Sequence, residues 1–249
     1  MALVTLSTPS TLDLPPGFRT VALRESGDAF AHACRTAGEE GAGTLVWVRR
    51  FDMAEFAVVL EPAEPLAEAR KAFFMGMAAT ADAIASLCPP ERSVGIAFPD
   101  TIRFDGGLVG GGRLGWPKRC GEEEVPDWLV FSACVRVSFA GLMEPGKVPN
   151  ATALDEEGFE GVGPAMLVEA FARFLMRFVD IWENEGPDRV LKDYVKRLDK
   201  ERPGDSLALS GAGDLVVTPA AGGFGRTVSL LDGLKAVAWL DRDAGGPRL

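Results

Sequence analysis

Arg49-Arg50 and the run Gly110-Gly111-Gly112-Arg113 are the residues of this chain whose types and spacing suit the handling of an anion. A guanidinium group holds carboxylate or phosphate through bidentate, charge-assisted hydrogen bonds. Arg49-Arg50 ends the apolar run Thr44-Leu45-Val46-Trp47-Val48, which reads as a buried strand, so both guanidiniums emerge at a strand end. Arg113 follows three consecutive glycines, a poor choice for a strand because Gly adds backbone entropy cost and packs nothing. Two readings stand. Either a bulky group lies against the bare backbone, which makes Trp47, Arg49, Arg50 and Gly110 to Arg113 the wall of a pocket. Or the strand bulges, or a packed helix crowds it. The arginines divide the same way, into ligand anchors or ion pairs with an acidic surface.

Other chemistry is thinly represented. His32 is the only histidine, which removes most Ser-His-Asp, Cys-His and multi-histidine metal arrangements, and no metal site is expected. His32 itself sits in the apolar stretch Phe30-Ala31-His32-Ala33-Cys34 and reads as a packing or hydrogen-bonding residue. Cys134 is flanked by apolar strand residues and reads as a small core hydrophobe. The glycine run has neither a G-K-[ST] ending nor a G-x-G-x-x-G leading into a helix, so it is not a phosphate loop of a known kind. No catalytic residue follows from the residues alone.

A net charge of −10 argues against nucleic acid as a partner. No apolar run reaches the ~20 residues that span a bilayer, so no membrane partner is expected. Met1 to Pro16 lacks the basic start and apolar core of a signal peptide. Cys34, Cys88, Cys120 and Cys134 lie far apart without C-x-x-C spacing, which fits reduced thiols and a cytoplasmic location.

The elements that must position these residues follow from periodicity and punctuation. Ser26-Gly27-Asp28 precedes a helix from about Ala29 to Glu39, and Phe56 to Leu60 reads as a buried strand. Leu66, Phe73, Met77, Ile84 and Leu87 recur at helical spacing up to Pro89-Pro90. Asp105-Gly106 is a strong hairpin signal between two short strands, and Trp128 to Phe139 reads as another strand. Gly163-Pro164 opens a long helix that ends at Gly186-Pro187, and a shorter helix follows. From Gly204 the texture becomes glycine-rich β, notably Leu215-Val216-Val217 and Val228-Ser229-Leu230. The expected architecture is α+β, with residues 1–203 as the main domain and 204–249 as a small β domain.

Taken in order, these pieces resemble the biotin/lipoate protein ligase family. Gly43 to Arg50 followed by Phe56 to Pro62 is similar to the family's first strand, nucleotide loop and next strand. Phe98-Pro99-Asp100 resembles its Trp-Pro-Asn-Asp, and Gly107-Leu108-Val109-Gly110 sits where it has Lys-Leu-Ala-Gly. Ala151 to Gly158 resembles its Ala-Thr-Ser-Leu segment, and Gly213 to Leu230 its small SH3-like barrel. The resemblance implies a class II synthetase-like ligase domain. It also implies ATP with biotin, lipoate or octanoate as the small-molecule acyl ligand, and a carrier-domain lysine as acceptor. It places the site at Trp47, Arg49, Arg50, Asp100, Gly110, Gly111, Gly112 and Arg113. The chain departs from the family at its cations. The Arg-rich glycine loop is shortened to Arg49-Arg50-Phe51-Asp52, and the two lysine positions are Ala97 and Gly107. Octanoyltransferases of this fold also use a cysteine near Asn150, and none is there. Arg49, Arg50 and Arg113 are the replacements at hand.

Overall fold

The computed structural model describes residues 11–89, 92–139 and 148–249; the first ten residues of the Met1–Pro16 reading, and Pro90, lie outside them. The main sheet is built from β1 (Arg19–Leu23), β2 (Thr44–Val48), β3 (Met53–Leu60), β4 (Val94–Ala97), β5 (Thr101–Phe104), β6 (Gly107–Gly115) and β7 (Leu129–Arg136). Its seven strands run in the order β1-β2-β3-β7-β6-β5-β4. Only β1 and β2 pair in parallel, across helix α1 (Ala29–Glu40). The remaining neighbours are antiparallel, as α+β topology requires. The β5–β6 hairpin turns at Asp105 and Gly106, whose φ values of 45° and 87° are both positive, the conformation that fits the twist of a tight hairpin.

Burial on both faces explains why β2, β3 and β7 read as continuous apolar runs rather than alternating ones. On one face α1 lays Ala29, Ala33 and Ala37 against Val46, Val48, Ala57, Val59 and Val130, small side chains that let helix and sheet approach closely. The other face carries the main core under α3 (Ala72–Leu87) and α4 (Pro164–Glu185). Phe171 of α4 stands 4.3 Å from the Phe56 ring and 5.7 Å from that of Phe131. The expected helix from Leu66 to Leu87 is divided into α2 (Leu66–Ala69) and α3. Across Arg70 and Lys71 the hydrogen bonds tighten to i→i+3, with Phe73 and Phe74 donating to their carbonyls, while Arg70 is tied to Glu122.

After α5 (Pro187–Val195), the strands β8 (Ser206–Leu209), β9 (Leu215–Thr218) and β10 (Arg226–Val228) form a three-stranded antiparallel sheet. Leu230 was expected to continue a strand; instead it begins α6 (Leu230–Ala236), because the Ser229 side chain caps the helix by accepting from Asp232 N–H at 3.2 Å. Leu215, Val217, Leu230 and Leu234 join the main core. Val237, at φ 45°, then turns the chain onto the main sheet, where β11 (Leu240–Asp241) and β12 (Gly246–Pro247) form a two-stranded ribbon against β6 and β7. The small sheets fit a C-terminal β region. No helix among the described residues is long and apolar enough to cross a membrane.

Candidate functional site

Strand register sets the floor of the site. Glu55 on β3 pairs with Cys134 on β7, and Cys134 pairs with Gly111 on β6; two residues along, Ser132 pairs with Arg113. All five residues lie on the face that α1 covers. Beyond the α1 N-terminus the floor is open, and a cavity of about 740 Å³ remains between it and the C-terminal ribbon. Arg50, Glu55, Arg113 and Cys134 line it from the sheet side, with Asp28 and Phe30 from the start of α1. Leu234 and Lys235 of α6, then Val237, Leu240, Arg242 and Asp243, line it from the C-terminal side.

The protein's own carboxylates occupy the α1 N-terminus. Asp28 Oδ1 accepts from Ala31 N–H at 2.8 Å, and Glu55 Oε1 accepts from Ala29 N–H at 3.0 Å. Each carboxylate is matched by a guanidinium. Arg50 lies 3.7 Å from Glu55 and forks onto both oxygens of Asp52 at 2.9 and 2.8 Å. Arg113 lies 3.7 Å from Asp28 and 4.3 Å above the Phe30 ring. Burial raises the Glu55 carboxyl above its ordinary pKa, against the lowering effect of the Ala29 hydrogen bond. Burial also pushes the Cys134 thiol up to about 12 and Cys34 up to about 11, so neither is a ready thiolate.

Of the residues the sequence singled out, the structure brings Arg50 and Arg113 to this cavity and sends the rest elsewhere. Trp47 points to the opposite face of the sheet and is fully buried in the main core, because alternation along β2 puts Val46 and Val48 under α1 instead. Arg49 is exposed beyond the strand end. The glycines are closed by the protein itself. A Cβ at Gly112 would meet Met77 Sδ at 2.5 Å, and one at Gly111 would meet the Trp239 ring at 2.5 Å. At Gly110 it would strike the Cys134 carbonyl oxygen at 2.3 Å. The run therefore serves close packing, with a register shift beside it at Ile102 and Arg103. Asp100 lies outside the cavity, under the hairpin, and its carbonyl accepts the Gly112 N–H at 2.8 Å. Its carboxyl accepts from Thr101 Oγ1 at 3.0 Å, and burial raises its pKa to about 6.

Asp28, Glu55 and the C-terminal residues of the cavity were not singled out in the sequence. Two signals were available: Asp28 stands at a helix N-cap position, and Glu55 is the one charged residue inside the strand Met53–Leu60. Nothing local marks Val237, Trp239 or Leu240 as neighbours of β6.

A sequence model of the biotin/lipoate A/B protein ligase family matches residues 14–196. Among curated protein sequences, none matches. A biotin protein ligase-like protein of unknown function from Silicibacter sp. TM1040 is similar in structure, with a TM-score of 0.75 at 24% identity over 90% of this chain and 99% of that one. The biotin protein ligase of Aquifex aeolicus in complex with biotin and ATP superposes with a TM-score of 0.63 at 12% identity, over 84% of this chain and 94% of that one. That of Leishmania major in complex with biotinyl-5-AMP gives a TM-score of 0.54 at 16% identity, over 86% and 99% of the two chains. These likenesses show the fold, a mixed α+β ligase-type domain. With the family match spanning far more than half of its length, the chain belongs to the biotin/lipoate A/B protein ligase family.

Proposed function

We propose that this chain takes a carboxylic acyl compound into the cavity between the α1 N-terminus and β6, as a divergent acyl ligase or transferase acting on a carrier-protein lysine. One observation carries the reading. Arg50 and Arg113 line a single cavity whose other walls include Leu234, Val237 and Leu240. A carboxylate with an apolar tail matches both halves. The guanidiniums would hold a free carboxylate. For transfer the acyl group must arrive activated, as a thioester, so that the C–N bond to the lysine forms as the C–S bond breaks. The thiol leaves with the proton the amine gives up, and the guanidiniums stabilise the charge developing on the carbonyl oxygen. An attacking amine must shed a proton, which arginine cannot accept. Glu55, buried on the cavity wall with a raised pKa, is the group suited to take it.

A second reading, a non-catalytic relative that binds such a ligand or a carrier domain, is favoured by the pairing of those same cations. Arg50, Arg113, Lys235 and Arg242 line the cavity together with an equal number of carboxylates, Glu25, Asp28, Glu55 and Asp243. A triphosphate calls for surplus positive charge, and these residues in this arrangement do not fit ATP. Calorimetric titration with biotin, lipoate and octanoate, alongside pyrophosphate release with ATP, separates the readings. We expect at least one acid to bind, and biotin-dependent pyrophosphate release to be far below ordinary ligase rates. Acyl transfer to a carrier lysine supports the enzyme, binding without transfer supports the second reading, and no binding by any acid overturns both.

A further inference from the structure

We infer that Trp239 sets the length of acyl chain that the cavity admits, an inference that rests on the acyl-binding reading of the same site. The floor row Gly111–Cys134–Glu55 runs across three strands, and the cavity takes in Cys134 and Glu55 but stops short of Gly111. What stops it is the Trp239 indole. The ring lies on Gly111 so closely that even a methyl group there would collide with it, and Trp239 is only 2% exposed. It packs with Met53, Cys134 and Leu240, of which Cys134 and Leu240 are cavity walls. Removing the ring would therefore extend the cavity along the sheet over bare glycine backbone, into an apolar space.

The placement of the ring is built rather than incidental. Its Nε1–H donates to the Gly112 carbonyl at 3.1 Å, so the indole spans two residues of the glycine run. Trp239's carbonyl accepts from Arg248 N–H at 2.9 Å, and Arg136 donates to the Pro247 carbonyl, which ties the ribbon to β7. Two residues before the ring, Val237 holds φ 45°, a conformation a β-branched side chain adopts only when its surroundings impose it. The chain thus turns sharply out of α6 to bring a large flat side chain onto Gly111, a strand position with no side chain of its own. An apolar tail entering with its carboxylate on Arg113 would run past Cys134 and end against this ring.

Straight-chain carboxylates from butanoate to dodecanoate, titrated calorimetrically into the full-length protein and into Trp239→Ala, test this. In the wild type, affinity should rise with chain length and then break off. In Trp239→Ala the break should move to longer chains by several methylenes, each added methylene that is buried raising affinity about fourfold. Arg113→Ala should lower affinity at all lengths without moving the break. If Trp239→Ala fails to fold by near-ultraviolet circular dichroism, Trp239→Leu keeps an apolar plug and should move the break in the same direction by less. Wild-type binding with an unmoved break in a folded variant overturns the inference and leaves the acyl-binding reading intact. Binding of no carboxylate by wild type or variants overturns both together.

Discussion

The two faces of β3, β6 and β7 are made by the same three strands, yet they do opposite work. Toward α3 and α4 they present Phe56, Val58, Phe131 and Ala133, buried in one core with Phe171, whose ring lies against those of Phe56 and Phe131. Toward α1 the same strands present Glu55, Cys134 and Arg113, which only the first turn of the covering helix meets, through Ala29 N–H on Glu55 and Phe30 under Arg113, and which line the cavity beyond its N-terminus. A face that is fully covered gains apolar burial and dispersion contacts at every position. A face left open gains little and keeps its charges reachable. The comparison assigns stability to one side of the sheet and, under the proposed function, ligand binding to the other, and substitutions on each side can break that assignment.

The largest effect belongs on the covered face. Phe171→Ala removes a fully buried ring that touches both Phe56 and Phe131. It should cost about 3–5 kcal/mol in chemical denaturation, since the surrounding rings can only partly collapse into the cavity left behind. A loss below that of any single change at the open face would show that the covered face is not the stabilising one.

Asp100, in the turn between β4 and β5 and on neither face, offers an effect of the opposite sign. Its carboxyl is pushed up to about 6 in the folded protein from an ordinary 3.8, chiefly by burial, so the folded state prefers it protonated. The stabilising contribution of that proton is complete below about pH 3.8, declines as pH rises toward 6, and is absent above. Asp100→Asn keeps the shape without the charge. At pH 7 the variant should be more stable than wild type by about 1–2 kcal/mol, less than the full pKa difference implies because the amide brings donors that need partners. Denaturation at pH 7 and pH 4 checks both halves, since the gain should shrink at the lower pH. A variant less stable than wild type at pH 7 would mean that the carboxylate is held by partners worth more than its desolvation.

Much of this architecture was legible in the chain, because it rests on local signals. The Asp105-Gly106 hairpin, the Gly163-Pro164 helix start and the apolar runs of β2 and β3 are each written within a few residues. Membership of the family followed from the order of such pieces. The cavity proposed as the site was legible only where a charge stood out against apolar neighbours, as Arg50 and Arg113 do. Trp47 was misread as a wall of the site because a strand buried on both faces loses the alternation that tells one side from the other. The glycine run was ambiguous for a different reason. What fills it, Met77 and Trp239, comes from residues far away in sequence, and no local pattern encodes that meeting.

Arg113 carries the smallest stability effect and the sharpest test of the open face. Its guanidinium is 20% exposed and lies 3.7 Å from Asp28, itself 55% exposed, a pair of the kind worth ~0–1 kcal/mol. Stacking over Phe30 adds an amount of similar size at a partly exposed position. Arg113→Ala should therefore lower stability by only about 1 kcal/mol. Binding is another matter. A charge-assisted hydrogen bond to a ligand carboxylate is worth roughly 1.5–3 kcal/mol, so the affinity for the best-binding carboxylic acid should fall about 10–100-fold. Arg113→Lys keeps the charge but not the planar fork, and should recover part of the affinity. Calorimetric titration and thermal melts on these two variants separate the possible roles. A stable protein with weakened binding puts the guanidinium on the ligand. Unchanged affinity with a lowered melting temperature would make Arg113 a structural partner of Phe30 and Asp28, and the open face would lose the cation on which its chemistry most depends.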